Sequence, residues 1–155
     1  LCITLIKPLR MKNLIMILAC FIAMHTMACA SGDKPITKES LPQAAQAFIQ
    51  TYFSSKAITL VKQDTDVARK TYDVVFADGT EVEFNGKGVW TEVDAKTSAV
   101  PQALVPQHIR TFVSEKYAGQ TICRIERERG KTEVRLSGGL ELTFNKDGQL
   151  IDVDN

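Results

Sequence analysis

The sequence is poor in the residues that most often carry out chemistry. It has two histidines and four cysteines, and Cys2, Cys20 and Cys29 all precede residue 31. Cys123 is therefore unpaired in the rest of the chain, and no metal-ligand spacing surrounds it, so its side chain is expected to be a small apolar filler. His108 falls in a helical pattern where it is expected to face solvent, and without it no Ser-His-Asp set can form. The sequence predicts that the protein is not an enzyme.

Net positive charge is also scarce. The first 30 residues contain Lys7, Arg10 and Lys12 and no acidic residue, and removing these three leaves 16 basic against 18 acidic residues. There is no basic stripe, which argues against binding to nucleic acid. The chain of 155 residues is 45% hydrophobic and 24% charged, which is typical of one soluble globular domain.

Residues 1–30 are predicted to be upstream residues and a secretory signal peptide. Lys12 gives a positive start, and an apolar run follows up to Ala30. Ala28 and Ala30 fit a small-x-small cleavage site, which leaves Ser31 as the new N-terminus. The protein is therefore expected to be periplasmic or secreted.

Cys29 leaves a second interpretation open, in which a lipid is attached to this residue and anchors a lipoprotein to the membrane. Thr26 stands where such signals usually have leucine, which favours simple cleavage. A retained transmembrane anchor is the third alternative, because the apolar run is marginal for a membrane span.

The strongest pattern in the chain is an internal repeat. Residues 80–94 (TEVEFNGKGVWTEVD) recur as residues 140–154 (LELTFNKDGQLIDVD), with six identities in fifteen positions. Upstream, residues 41–58 align with residues 105–122. The offset falls from 64 to 60 between these stretches, so the second copy is four residues shorter, and the difference is placed in a loop holding Asp64 to Arg69.

The repeat predicts one domain made of two equivalent halves, since each half is too small to bury a core alone. The domain covers residues 41–155, its repeats are 41–94 and 105–154, and residues 31–40 form a polar tether. Each half is predicted to be a helix, capped in the first copy by Ser40, followed by four antiparallel strands. The expected core pairs are Phe48 with Phe112, Phe76 with Leu136, and Phe84 with Phe144.

Alternation along the strands also predicts an open face, turned away from the helices. Its outward residues include Asp73, Glu81, Glu83, Trp90, Glu92, Asp94, Arg124, Glu133, Arg135, Glu141, Thr143, Leu150 and Asp152. Trp90 and Leu150 belong to this face if no bulge intervenes, and an exposed tryptophan is typical of binding hot spots. Packing of Trp90 under a loop or at the sheet edge is the alternative. The candidate partner-binding residues are Trp90, Glu81, Glu83, Glu92 and Arg135.

These segments resemble the PepSY-like, β-lactamase-inhibitor-like proteins found in the envelope of gut-type bacteria. The resemblance is carried by the turns ADGT and SGGL, each followed by E-x-x-F, a glycine hairpin and an acidic strand end. It implies an α+β fold in which two helix-plus-four-strand repeats form one continuous antiparallel sheet, with both helices on one face. It also implies a layout similar to that of β-lactamase inhibitory proteins, which grip an enzyme through the open face and its loops.

Calcium is the cofactor alternative, although none is expected. Asp64-x-Asp66 and Asn145-x-Asp147-Gly148 each echo the start of a calcium loop, but the full pattern needs a further oxygen residue and a closing glutamate. A hairpin turn explains the second motif equally well.

The sequence therefore predicts an exported, non-enzymatic binding module that inhibits or regulates another envelope protein through the open face. A calcium-responsive or small-ligand-binding envelope protein is the alternative. The expected partner is a protein, not nucleic acid, and membrane contact is expected only if Cys29 is lipidated.

Overall fold

The structure, a computed structural model, describes residues 33–66 and 69–155. The predicted signal peptide, the cleavage site before Ser31 and the candidate lipidation site Cys29 lie outside the described residues. Within the described part of the chain, no helix is long and apolar enough to cross a membrane.

One helix opens each repeat, as predicted. Helix α1 is Gln43–Tyr52 and helix α2 is Gln107–Lys116. Each helix begins after a proline, Pro42 or Pro106, and not after a side-chain cap on Ser40, which instead ends a short 3-10 turn. The proline carbonyl accepts the first helical hydrogen bonds, so the fixed backbone of proline starts each helix.

In the described part of the chain, nine antiparallel strands follow one another in chain order across a single sheet. They are β1 Lys34–Pro35, β2 Ile58–Asp66, β3 Arg69–Phe76, β4 Glu81–Asn85, β5 Trp90–Asp94, β6 Ile122–Glu128, β7 Lys131–Leu136, β8 Glu141–Phe144 and β9 Leu150–Asp154. The predicted fold is confirmed, with one addition. Part of the predicted tether forms β1, which pairs with β2.

Both helices pack on the same face of the sheet through repeat-related aromatic contacts. The ring of Phe48 meets Phe84 edge-on at 5.5 Å between centroids, and Phe112 meets Phe144 at the same distance. Phe84 and Phe144 are completely buried, while the two helix phenylalanines are half-buried against them. Phe76 and Leu136 are also buried, so the predicted core pairs all contribute to one core.

Two glycines set how closely each helix approaches its hairpin. A Cβ atom on Gly88 would lie 2.7 Å from Cβ of Pro42, and one on Gly148 would lie 2.9 Å from Cδ2 of His108. Both glycines also have φ near +80°, a conformation that side-chain-bearing residues rarely adopt. The N-terminus of each helix therefore packs directly on the glycine hairpin of its own repeat.

The length difference between the repeats lies in strands and not in a loop, which corrects the prediction for Asp64 and Arg69. Strands β2 and β3 have nine and eight residues, whereas β6 and β7 have seven and six. Asp64 pairs with Thr71 within the extended hairpin. The four additional residues thus lengthen a two-stranded arm.

Truncation of the paired core phenylalanines should be costly in both halves. We expect Phe84→Ala and Phe144→Ala each to lower the free energy of unfolding by about 3–5 kcal/mol, because each leaves a cavity under a helix. Denaturant unfolding followed by circular dichroism measures this loss. Val89→Ala, at an exposed position, is the control. If a phenylalanine variant unfolds at the same denaturant concentration as the parent protein, that residue does not support the core.

Candidate functional site

The open face of the sheet carries a line of carboxylates that crosses seven strands. Strand register places one residue from each of β3 to β9 side by side, and six of these seven residues are acidic. We call this line the acidic row, and its members are Asp73, Glu83, Glu92, Glu126, Glu133, Thr143 and Asp152. Like charges directly opposite each other on neighbouring strands destabilise a sheet. The acidic row therefore needs compensation from elsewhere.

Arg124 supplies much of this compensation from the neighbouring line of residues. Its guanidinium contacts Glu92 at 2.7 Å, Glu126 at 2.6 Å and Glu133 at 3.3 Å. It also lies 3.8 Å from Glu141. The hydrogen bond to Glu92 is the largest influence on the pKa of Arg124, which is raised. One cation thus organises four carboxylates on the open face.

Arg135 forms a second, smaller cluster with the end of β5. Its guanidinium lies 3.0 Å from the Asp94 carboxylate, which also accepts hydrogen bonds from the backbone N–H and the ammonium of Lys96. Burial acts to raise the pKa of Asp94, but these hydrogen bonds and charges outweigh it, so the pKa lies below its usual value. The Lys96 ammonium also reaches Glu81 at 3.3 Å. Arg135 and Glu81 are on the open face, as predicted.

Asp73 ends the acidic row on β3 in an unfavourable environment. It is half-buried, and its cross-strand neighbour Lys62 forms an ion pair with Asp33 at 3.5 Å. Burial first, and then the negative charge of Glu83, raise the pKa of Asp73 to about 6. The Asp73 carboxyl group therefore becomes protonated as the pH falls below about 6, whereas an ordinary aspartate becomes protonated only at a much lower pH.

A cleft opens on this face beside the longer hairpin arm. It has a volume of about 610 Å³. Glu83, Glu92 and Glu126 line it together with basic residues, among them Lys87 on the β4–β5 turn and Arg69 on the arm. The cleft thus has acidic and basic parts, which suits an extended polar segment with charges of its own.

Trp90 lies on the helix face, so the predicted exposure of this side chain on the open face is wrong. A bulge between Glu83 and Phe84 shifts the register, and Trp90 pairs with the inward-facing Phe84. One extra residue in a strand moves the preceding side chain to the other face. The Trp90 ring packs 6.0 Å from Phe48 and is covered by the Arg127 guanidinium at 3.5 Å.

Leu150 is the repeat-equivalent of Trp90 and requires the same correction. A matching bulge between Thr143 and Phe144 pairs Leu150 with Phe144. The side chain is half-buried against the core and is not part of the open face.

The two motifs that echo calcium loops are strands and turns in the structure. Asn145 accepts hydrogen bonds through its side-chain oxygen from the N–H groups of Asp147 and Gln149, and Asn85 does the same in the first repeat. The hairpin turn therefore accounts for the asparagine at position 145, which is the alternative that the sequence offered for this motif. Asp64 lies in β2, not in a loop. Within residues 33–66 and 69–155, no three His, Cys, Asp or Glu side chains converge closely enough to hold a metal ion.

Cys123 is buried on β6, as expected for a small apolar filler. It is a free cysteine whose S–H lies 3.3 Å from the Arg135 carbonyl oxygen and donates to it. His108 is exposed on α2, where its ring edge meets Phe144 at 6.3 Å.

Comparison with known proteins assigns the fold to a family. Residues 70–152 match the family described as "Putative beta-lactamase-inhibitor-like, PepSY-like". The match spans more than half of the chain. This chain belongs to the PepSY-like family. No protein with a curated description matches it.

Solved structures from Bacteroides share the fold. A "putative periplasmic protein" from Bacteroides vulgatus, from a domain family of unknown function, is 44% identical with a TM-score of 0.78, and the match covers 81% of this chain and 99% of that one. A "putative calcium-regulated periplasmic protein" from Bacteroides thetaiotaomicron is 42% identical with a TM-score of 0.77, covering 79% and 97%. A further "putative periplasmic protein of unknown function" from Bacteroides vulgatus is 36% identical with a TM-score of 0.76, covering 80% and 100%.

The raised pKa of Asp73 predicts a pH-dependent effect on stability. The folded-state pKa, about 6, lies above the reference value of 3.8, so ionisation costs the folded state more than the unfolded state. The penalty is absent below the reference value and grows as the pH rises through about 6. We therefore expect Asp73→Asn to stabilise the protein by about 1 kcal/mol at neutral pH, after allowance for solvent screening, and hardly at all near pH 4.

Urea unfolding of both proteins across this pH range measures the difference. Asp152→Asn, at the exposed end of the same row, is the matched control and should be less stabilising at neutral pH. A gain for Asp73→Asn that is independent of pH would contradict the assigned origin of the effect.

Proposed function

We propose that this protein is an exported, non-enzymatic binding module of the periplasm, which holds a basic segment of another envelope protein on the open face. The observation that carries the proposal is the acidic row, in which six carboxylates are lined up by strand register. The periplasmic relatives support the location. The likeness to β-lactamase inhibitors supports restraint of the partner as the result of binding.

Electrostatics favours a basic partner. Arg124 neutralises one of the charges of the row, while Asp73 is half-buried and close to Glu83. A lysine or arginine held beside Glu83, which lines the cleft, would relieve this repulsion and add a favourable electrostatic term to binding. Glu81, Glu83, Glu92 and Arg135 remain the proposed contacts from sequence, joined by Asp73 and Glu126. Trp90 is replaced as an anchor because it packs under α1.

Ion pairs hold the carboxylates at the centre of the row in place. Glu92 and Glu126 both bind the Arg124 guanidinium at 2.6–2.7 Å. Burial is the largest influence on the pKa of Glu126 and raises it, while the charge of Arg124 acts in the opposite direction. Carboxylates that are fixed by a shared arginine support a binding surface.

Affinity capture from envelope extract tests the proposal. We expect the double variant Glu83→Gln/Glu126→Gln to lose most of the partner captured by the parent protein, since charge is removed with little change of shape. Glu115→Gln, on the exposed side of α2, makes a matched change on the opposite face and should capture normally. Added salt should weaken capture by the parent protein more than by the double variant. Equal capture by both variants would contradict binding through the open face.

Calcium regulation is the second candidate. It is supported by the 42% identical relative described as a "putative calcium-regulated periplasmic protein". It is also supported by the repulsion between Asp73 and Glu83, a pair of carboxylates and not a group of three, which a divalent cation would relieve. We expect calcium, compared with magnesium or a chelator, to raise the thermal unfolding temperature of the parent protein. The rise should disappear in Asp73→Asn/Glu83→Gln. If Asn145→Ala abolishes the rise and the open-face variant retains it, the site is in the hairpin and not on the open face.

A further inference from the structure

The repeat-equivalent strands β5 and β9 occupy different positions, because β5 is central in the sheet and β9 lies at its edge. Strand β5 pairs with β4 on one side and with β6 on the other, whereas its repeat-equivalent β9 pairs with β8 alone among the described residues. As a result, Val93 on β5 is completely buried, and its equivalent Val153 on β9 is 47% exposed. Ile151 beside it is 48% exposed. The outer edge of β9 therefore presents backbone groups flanked by apolar side chains.

The two outer edges of the sheet are not alike. The first edge is covered by β1, which is two residues long and contains Pro35, and proline and short strands are common means of blocking an edge. Strand β9 has five residues and no proline. An open edge of this kind is the geometry used when an extended peptide adds a strand to a sheet.

Strand β6 shows which kind of strand fits this surface. Against β5 it places Ile125 opposite Val93 and Arg124 opposite Asp94. The β9 residues equivalent to Val93 and Asp94 are Val153 and Asp154, which have the same side chains. A strand that covers β9 in the same way needs an apolar residue opposite Val153 and a basic residue opposite Asp154.

Charge argues against a second copy of this chain as the occupant. Two β9 strands paired antiparallel would bring Asp152 and Asp154 of one copy against the same residues of the other copy. Like charges in opposed positions destabilise strand pairing. The acidic strand thus disfavours self-association and favours a basic strand.

We propose that the outer edge of β9 is a docking site for an extended segment of a partner protein, which places an apolar residue opposite Val153 and a basic residue opposite Asp154 and adds to the sheet as β6 adds to β5. Backbone hydrogen bonds hold the segment against β9. Val153 and Asp154 determine which side chains of the segment are accepted, namely an apolar one and a basic one. The site uses Val153 and Asp154 at the edge of the sheet, whereas the cleft proposed to bind a partner on the open face is lined by Glu83, Glu92 and Glu126, so either can fail alone.

A peptide with the β6 sequence is the direct probe. We expect residues 121–128, made with Cys123→Ser, to shift the amide signals of Leu150–Asp154 in a nuclear magnetic resonance titration of the isotope-labelled protein and to slow their hydrogen exchange. A peptide in which Arg124 and Arg127 are replaced by glutamate should bind at least about tenfold more weakly. Equal binding of the two peptides would overturn the charge argument.

Substitutions in the protein test the edge itself. Val153→Asp should weaken binding of the peptide at least about tenfold, whereas Val89→Asp changes an equally exposed valine on another hairpin and should not. Asp154→Lys should weaken it as well, with Asp147→Lys as the charge-matched control. Circular dichroism establishes that each variant is folded.

Three results would overturn the proposal. Shifts confined to β2, β5 or the cleft residues Glu83, Glu92 and Glu126 would place the peptide elsewhere. Binding that is unchanged in Val153→Asp would do the same. Dimers in sedimentation of the parent protein that are lost in Val153→Asp would assign the edge to a second copy of the chain.

Discussion

The pairing of β5 with β6 is the contact on which the rest of the molecule depends, because it joins two halves that are each too small to fold alone. On the helix side it buries Val93 against Ile125, which makes one continuous core. On the open side it brings Arg124 to Glu92, so the cation from one half neutralises the acid from the other. The same strand pair thus builds both the core and the charged face.

The general fold was predictable because it depends on local periodicity and on the repeat. Inward residues such as Val82 and Phe84 alternate strictly, and the same alternation recurs in the second copy. The bulge that turns Trp90 inward was missed because a single extra residue leaves no mark on composition. One signal was present, since Trp90 aligns with Leu150, and two apolar residues at equivalent positions are better explained by burial than by exposure.

The candidate site was predictable only as a set of outward carboxylates. The predicted outward set included Asp73, Glu133 and the cation Arg124 but not Glu126, although Glu126 lies two residues after Arg124 on the same side of β6. The role of Arg124 depends on the register between strands from different repeats, which sequence patterns within one strand do not contain. The raised pKa of Asp73 likewise depends on burial and on its neighbours across the sheet.

The longer arm formed by β2 and β3 makes the two halves of the open face unequal. A face built from two equivalent halves offers a ligand two similar positions, one on each repeat. Two additional residues per strand extend the arm by roughly 7 Å beyond its counterpart. This extension places Arg69 at the cleft, where its guanidinium lies 3.7 Å from the Glu128 carboxylate of the second half. The duplicated architecture is thereby asymmetric, since the arm of one half reaches the strands of the other.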